Sequence, residues 1–271
     1  MTEPTAGTTP ILRAFSGGLD TSFCVPWLAE TYGRSVVTLT VNTGSIDDAT
    51  ARMLEQRSKT HGAVAHHLVD ARPAYFEQVI KFLIMGNVRR GNLYPLCVGA
   101  ERVLQAQTVA QWARKLGTDV VAHGSTAAGN DQVRFEVALR TLAPGLEILA
   151  PVRDRAFKRP EQLEYLERRK LPVPPFGAAY SVNRGLWGTT IGGKETLVSS
   201  DCIPDSAWVL TRDAFTNPQA PERHTIGFEK GIPSSLDGQA LDPVSLIESI
   251  EALGAKFGIG RGIHLGDTII G

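Results

Sequence analysis

The chain has 271 residues, of which 28 are basic, 28 are acidic and 42% are hydrophobic. The balanced charge gives no sign of a nucleic-acid partner, and no apolar run approaches the roughly 18 residues that span a bilayer. The polar stretch from Met1 to Pro10 lacks the apolar core of a signal peptide. We therefore expect a cytoplasmic protein with no nucleic-acid partner and no membrane association.

The cysteines and histidines do not indicate a metal site. Cys24, Cys97 and Cys202 are widely spaced, so they form neither a disulfide framework nor a metal-binding cluster. His66 and His67 lie in a strand-like run, where neighbouring side chains point to opposite faces. This composition predicts a reducing compartment and no zinc site.

One stretch near the start, Ser16-Gly17-Gly18-Leu19-Asp20-Thr21-Ser22, has the pattern of a phosphate-binding loop. It joins a strand-like run to a helix, and its two glycines let an anion approach the backbone. The positive end of the helix faces the same point. Asp20 is predicted to hold a divalent cation, with the hydroxyl side chains of the stretch directed to the same oxygens. The alternative is a glycine turn with an Asp or Thr N-cap.

The common P-loop motif is not present. Its nearest match, Gly188 to Lys194, is followed by Glu195, where that motif needs a hydroxyl residue that binds the metal. We reject a second phosphate site there.

Strand-like and helical segments alternate through the first 150 residues. Strands are predicted at 11–15, 35–42, 63–70, 119–123 and 146–150, and helices at 21–33, 47–62, 73–85, 99–117 and 132–142. This alternation predicts an α/β fold with a doubly wound parallel sheet. Ligands of such sheets bind at the carboxyl ends of the strands, so Ser16–Ser22 and Gly124–Arg134 are expected to line one crevice.

Two helices carry further expectations. Pro26 lies past the first turn of the first helix, where it should remove a hydrogen bond or cause a kink. The helix 99–117 is expected to pack through Val103, Val109, Trp112 and Leu116.

The pattern changes near Pro151, and we predict a domain boundary near residue 155. The expected domains are 1–155, which binds the nucleotide, and 156–271, a second domain of α+β type. In the latter we predict a helix at 160–170, irregular glycine-rich sequence to about residue 221, an antiparallel pair at 224–229 and 232–236, and a helix at 242–257.

A second glycine-containing segment runs from His123 to Phe135. Asn130 and Arg134 are one helical turn apart and face the same side if a helix starts there. Arginine suits a carboxylate and Asp131 suits an ammonium group, so the segment is predicted to bind an amino-acid zwitterion. The alternative is a capped helix with a surface arginine.

These two segments resemble the signatures of the argininosuccinate synthase family, which belongs to the N-type ATP pyrophosphatase superfamily. Ser16–Ser22 is similar to the family's ATP loop, and His123–Phe135 to its second signature. Five shorter segments also agree: Ala143-Pro144, Ala150–Arg153, Tyr180–Asn183, Phe228–Gly231 and Gly258–Arg261. The resemblance covers nearly the whole chain. It implies a sheet like that of the adenine nucleotide alpha hydrolases, followed by a synthetase domain.

The resemblance also implies a reaction in arginine biosynthesis and the urea cycle. With ATP and Mg²⁺ bound, the ureido oxygen of citrulline attacks the α-phosphate to give citrullyl-adenylate and pyrophosphate. The amino group of aspartate then displaces AMP. The protein would supply positioning and charge neutralisation, and it would work as a homo-oligomer, a tetramer in the complete family.

Site residues follow from the same resemblance, position by position. ATP would contact Ala14, Phe15, Ser16, Gly17, Gly18, Leu19, Asp20, Thr21, Ser22, Val41 and Gly124. Aspartate would bind Thr126, Asn130 and Asp131, and citrulline would bind Tyr94, Asn130, Arg134, Ser181 and Thr190. Asp20 and Ser22 are the expected catalytic residues, and Asp20 is the expected metal ligand.

The chain departs from the family pattern at Gly99, Ala128 and Gly266, and it stops at Gly271, where the family continues. We therefore expect it to lack the C-terminal part of the family. Two alternatives stay open, a related adenylate-forming ligase with another acceptor and an inactive ATP-binding fragment. Neutral charge and scattered cysteines argue against a third, a tRNA-modifying enzyme with the same loop.

Overall fold

Five parallel strands form the central sheet of the computed structural model, which describes residues 9–125, 130–177 and 179–264, with the backbone alone for residues 130–132. The strands are β1 (Ile11–Ala14), β2 (Val36–Asn42), β3 (Ala65–Asp70), β4 (Val120–Ala122) and β5 (Glu147–Leu149). Their order is β3-β2-β1-β4-β5, so the chain winds outward in both directions from the neighbours β1 and β4. The predicted doubly wound sheet is confirmed.

Helices cover both faces of this sheet. They are α1 (Leu19–Tyr32), α2 (Asp48–Thr60), α3 (Arg72–Tyr75), α4 (Lys81–Met85), α5 (Cys97–Leu116), α6 (Asn130–Leu142), α7 (Pro151–Asp154) and α8 (Arg159–Arg168), and a π-helical turn (Phe76–Ile80) joins α3 to α4. Ile11 packs in the apolar cluster with α1, while Leu12 packs in the cluster with α5 and α6. Successive strand residues thus serve opposite faces.

The helix α1 continues past Pro26, which cannot donate the backbone hydrogen bond expected to be lost there, because proline has no N–H. The helix α1 runs through Pro26 from Leu19 to Tyr32, and tertiary packing holds it there, since the Phe23 ring lies 5.0 Å from the rings of Phe157 and Tyr165.

In α5 the predicted packing of Val109, Trp112 and Leu116 is confirmed, but that of Val103 is wrong, and the buried face includes residues that were not predicted. Val103 is exposed, while Glu101, Leu104 and Thr108 are buried. Glu101 can be buried because Thr43 and Gln105 donate hydrogen bonds to its carboxylate, which offsets the cost of removing the charge from water.

The second half forms two small antiparallel sheets. One is the hairpin of β6 (Ser181–Gly185) and β7 (Gly188–Gly192), and the other has the order β10-β9-β8 from β8 (Ile226–Glu229), β9 (Ile232–Leu236) and β10 (Gln239–Ala240). The final helix α9 (Pro243–Lys256) is capped by Asp242, which accepts hydrogen bonds from the first turn. The predicted pair and final helix are confirmed, but the hairpin was predicted as irregular.

The hairpin is fixed to the end of β2. Leu186 N donates to Thr43 O over 2.7 Å, and Trp187 Nε1 donates to Pro95 O over 3.1 Å. These distant contacts explain why a strand as polar as β6 forms here. The domain boundary near residue 155 stays a prediction. Across the described ranges, none of the helices has the length and apolar content needed to cross a membrane.

Candidate active site at the switch point of the sheet

A crevice of about 720 Å³ opens at the carboxyl ends of β1, β2 and β4. Parallel sheets bind ligands at such a point because the connections on its two sides run to opposite faces. Its lining includes Ala14, Phe15, Ser16, Asp20, Thr21, Val41, Glu101, Arg102, Gln105, His123, Gly124, Ser125, Ser181, Asn183 and Arg184. The structure therefore brings the predicted phosphate loop, the start of the second signature and β6 to one place.

The loop after β1 has a backbone that only glycine adopts without strain at its second position. Gly17 has φ +76°, and a Cβ there would lie 2.3 Å from Leu54 Cδ2. Arg57 Nη1 donates to Gly17 O over 2.5 Å, so α2 holds the loop. The helix α1 has Gly18 as N-cap with no side-chain hydrogen bond, which leaves its first amides for a ligand.

The alternative of a turn capped by Asp or Thr is wrong, because Asp20 lies inside the first turn. Its Oδ1 accepts a hydrogen bond of 2.8 Å from Gln162 Nε2 of α8. Thr21 Oγ1 donates to Gly18 O and lies 3.3 Å from Ser16 Oγ. The carboxylate of Asp20 and these two hydroxyls thus border the crevice together.

Other residues of the loop lie beneath this surface. Leu19 and Ser22 are buried, and Ser22 Oγ lies 3.5 Å from Gly17 O. The Ser22 hydroxyl therefore supports the loop from below, whereas the sequence pattern predicts it beside Ser16 and Thr21. Its catalytic role stays a prediction.

His123 follows β4 and forms part of the crevice wall. It is 2% exposed, and burial together with the nearby Arg13 lowers its pKa to about 4, although Glu136 acts in the opposite direction. Its Nδ1 accepts from Ser125 N over 3.4 Å. The imidazole is therefore neutral at physiological pH.

The predicted amino-acid residues are placed less uniformly. Ser181 lines the crevice, while Tyr94, Arg134 and Thr190 do not. Arg134 lies beside Gly99, where an added Cβ would be 3.7 Å from its Nε.

Tyr94 is half-buried and stacks on His264 at 4.6 Å. Burial raises the pKa of its hydroxyl, and Arg134 has a small opposite effect, so the two side chains are near each other. Thr126, Ala128, Gly266 and Gly271 lie outside the described residues. Asn130 and Asp131 begin α6, but the structure does not describe their side chains.

A polar network that the sequence did not suggest joins α5 to the hairpin. Glu101 accepts from Thr43 and, over 2.9 Å, from Gln105 Nε2. Arg102 donates to Gln105 Oε1 over 2.8 Å and to Asn183 Oδ1 over 3.0 Å. The spacing of Glu101 and Gln105, four residues apart in a helix, is the one signal that could have indicated it.

Metal ligands are few in this region. In the described ranges no three His, Cys, Asp or Glu side chains cluster for a metal. His66 bonds Thr38 on one face of the sheet, and His67 stacks on Trp112 at 4.4 Å on the other. Asp20 is thus a single carboxylate, and this suits Mg²⁺, which usually binds one or two carboxylates plus substrate phosphates.

Family comparisons agree with this site. A family model described as "Arginosuccinate synthase N-terminal HUP domain" matches residues 10–172, and one described as "Arginosuccinate synthase C-terminal domain" matches residues 180–271. The C-terminal domain that the family resemblance implies is therefore represented in the second half of the chain, over the residues that this model matches.

Individual relatives are similar over nearly the whole chain. Argininosuccinate synthase of Pyrobaculum aerophilum is 38% identical over 98% of this chain and 66% of that protein. The Metallosphaera sedula enzyme of the same name is 37% identical over 96% of this chain and 66% of that protein. The chain thus spans about two thirds of the length of these relatives.

Among solved structures, NMN synthetase from Francisella tularensis matches with a TM-score of 0.43 and 13% identity, over 61% of this chain and 63% of that one. This likeness is too weak to add to the strand order described above. The two family models and the identities to the curated relatives show that the chain belongs to the argininosuccinate synthase family.

Proposed function

We propose that this chain joins citrulline and aspartate at the expense of ATP, giving argininosuccinate, AMP and pyrophosphate in arginine biosynthesis. The observation that carries the proposal is the single crevice in which the loop after β1, the loop after β4 and the strand β6 meet. The names of the relatives support the same reaction.

The nucleotide side of the crevice is suited to polyphosphate. Backbone amides at the start of α1 have no intrahelical partner, and the positive end of the helix lies where Asp20 and Thr21 of its first turn line the crevice. The hydroxyls of Ser16 and Thr21 border the same space, while Val41 lines it from β2. The described part of the crevice holds no cysteine and no activated serine, so catalysis would rest on positioning and electrostatic stabilisation.

Mg²⁺ belongs to the proposal, and the residues present fit it. Asp20 presents one carboxylate to the crevice, and Gln162 orients it through Oδ1. Asp20 would hold the cation, and a bound Mg²⁺ neutralises phosphate charge.

For the acceptor side, Arg134 is proposed to bind the citrulline carboxylate with Tyr94, Ser181 and Thr190 nearby. Thr126, Asn130 and Asp131 are proposed to bind aspartate on the basis of the family resemblance. Chemically, the ureido oxygen attacks the α-phosphate, pyrophosphate leaves, and the aspartate amino group then displaces AMP.

A second candidate is a related ligase with another acceptor. Gly99 favours it, because the absent side chain leaves space directly beside Arg134. That space would suit an acceptor bulkier than citrulline at this point. It predicts pyrophosphate release with other ureido or carboxyl compounds.

The test is pyrophosphate release by this 271-residue chain, with and without citrulline and aspartate. Release that needs both amino acids supports the proposal. ATP binding without release would favour an inactive nucleotide-binding protein, and release only with other acceptors would favour the second candidate.

Asp20→Asn keeps an oxygen for Gln162 but removes the charge, so we expect release to fall about 100-fold. The matched control is Asp48→Asn, an exposed acid in the first turn of α2, which should release pyrophosphate like the wild type. Near-normal release by Asp20→Asn would remove Asp20 from the mechanism.

A homo-oligomer and a cytoplasmic location are part of the same proposal. Cys24, Cys97 and Cys202 are free thiols, as expected in a reducing compartment. Light scattering of the purified chain would give its molar mass, and a monomeric mass would contradict the oligomer.

A further inference from the structure

Arg13 is a buried arginine in the middle of the sheet, three residues before the phosphate loop. It lies on β1 and is 0% exposed. Its Nη1 donates to the carbonyl oxygens of Ala14 (2.8 Å) and Ala122 (3.1 Å). Within the described part of the chain, its Nε and Nη2 have no hydrogen-bond partner. A full positive charge is therefore held in the core with three of its five N–H donors unused.

The guanidinium lies directly under the crevice. A Cβ on Gly124 would be 2.6 Å from Arg13 Nη2 and 3.0 Å from Thr21 Cγ2. Gly124 and Thr21 both line the crevice, so one layer of residues separates the charge from the ligand space. The glycine at 124 is what permits this close approach.

This arrangement is costly in the unliganded protein. Burial of an unpaired charge destabilises a fold, and the positive end of α1 adds a second positive potential at the same place. Burial lowers the pKa of Arg13, the neighbouring Cys24 and then the carboxylate of Asp20 act in the opposite direction, and Asp20 Oδ1 already bonds Gln162. A ligand with several negative charges would balance both positive features.

We propose that Arg13 is a positioning residue for the polyphosphate, whose buried charge acts through Gly124 and Thr21 to hold the phosphates over the loop. The inference rests on the proposed role of Ser16–Ser22 as a phosphate site. Arg13 needs no contact with the ligand, because a charge in a poorly screened interior acts over several ångströms.

The test measures binding of inorganic pyrophosphate by calorimetry, without Mg²⁺, ATP or amino acids. Arg13→Gln retains donors for the carbonyls of Ala14 and Ala122 but removes the charge, Arg13→Met removes both, and Arg13→Lys keeps the charge. We expect the two neutral variants to bind pyrophosphate about tenfold more weakly and the lysine variant to stay within about threefold of the wild type.

Thermal unfolding separates this role from a structural one. Loss of an unpaired buried charge should leave the unfolding temperature unchanged or raised. The matched control is Arg34, a buried arginine that pairs with Asp119 at 2.9 Å. It precedes β2 and therefore lies at the amino edge of the sheet, away from the crevice. Arg34→Gln should lower the unfolding temperature and leave pyrophosphate affinity unchanged.

Three results would overturn the inference: pyrophosphate affinity of Arg13→Gln within twofold of the wild type, failure of both neutral variants to fold, or no pyrophosphate binding by the wild type. Failure of the proposed ligase activity looks different. In that case the wild type would bind added pyrophosphate, and the Arg13 variants would bind it as predicted above. The wild type would nevertheless produce no pyrophosphate from ATP in the presence of citrulline and aspartate.

Discussion

The crevice has a phosphate side, formed by the loop after β1, and an acceptor side, formed by α5 and the strand β6. Different kinds of interaction hold these two sides in place. On the phosphate side, backbone geometry dominates: Gly17 has a positive φ, and Leu54 lies against it. On the acceptor side, side-chain hydrogen bonds dominate: Arg102 links α5 to Asn183 of the hairpin. The phosphate side therefore depends on the backbone of one short loop, which Leu54, Arg57 and Gln162 hold in place, while the acceptor side depends on side-chain bonds between α5 and the hairpin. We expect substitutions to be more damaging on the first side and more selective on the second.

The largest effect is expected for Gly17→Ala. Its Cβ would clash with Leu54, and its φ of +76° is strained for any other residue. We expect the free energy of unfolding to fall by about 4 kcal/mol, from left-handed strain and overpacking together. Pyrophosphate release should fall about 100-fold, because the loop would shift. Chemical denaturation and a release assay measure the two effects.

A matched control for this prediction is Gly33→Ala at the C-cap of α1. Gly33 also has a positive φ, +61°, but no atom lies within 4 Å of its added Cβ. Gly33→Ala should lower the free energy of unfolding only by the backbone strain, about 1 kcal/mol. Pyrophosphate release should stay unchanged. Equal losses for both variants would show that packing around the loop contributes nothing.

The next effect is the pH dependence of stability due to His123. Its folded pKa is about 4, below the ordinary value of 6.5, so between these pH values the unfolded chain binds a proton that the folded chain does not. The free energy of unfolding is then unaffected by this group above pH 6.5 and falls as the pH falls toward 4. The full loss is about 3 kcal/mol, since one pKa unit corresponds to about 1.4 kcal/mol.

Urea denaturation from pH 7 to pH 4 would measure this loss. His123→Gln should show a shallower decline over the same range, because the titrating group is gone. Parallel curves for the two proteins would mean that His123 has the same pKa in the folded and the unfolded chain, contrary to the prediction.

The smallest effect is expected for Arg102→Ala on the acceptor side. Loss of its hydrogen bonds to Gln105 and Asn183 should cost about 1 kcal/mol of stability. The KM for the acceptor should rise, because the hairpin would lose its hydrogen bond to α5. The KM for ATP should stay unchanged, because the contacts of the loop after β1 would remain. Arg168→Ala, which breaks an exposed pair with Glu164 on α8, is the control and should change stability by at most about 0.5 kcal/mol. Equal rises in the KM for the acceptor and the KM for ATP would contradict the prediction that Arg102 acts on the acceptor side alone.

The same division explains what the sequence could predict. The strands, the helix α2 that begins near residue 47 and the glycine loop follow from patterns within a few residues, and the structure has each of them. The hairpin and the burial of Glu101 depend on contacts with Thr43, far away in the chain, so local patterns did not predict them.

The position of Ser22 shows the limit within one motif. The pattern predicted three hydroxyls on one surface, but Ser22 is the fourth residue of α1 and is buried. Helix phase, rather than residue type, decides which hydroxyl reaches the crevice.

The pairing of β1 with β4 also sets when the site can form during synthesis. The loop is complete by residue 22, but its opposite wall at His123 and Gly124 exists only after β4 pairs with β1, and Arg13 bonds Ala122 across 109 residues. Closing so long a stretch of chain is slow compared with forming local helices. A growing chain therefore carries the loop after β1 for about a hundred residues before it has a crevice, and the proposed nucleotide site is complete only when β4 joins the sheet.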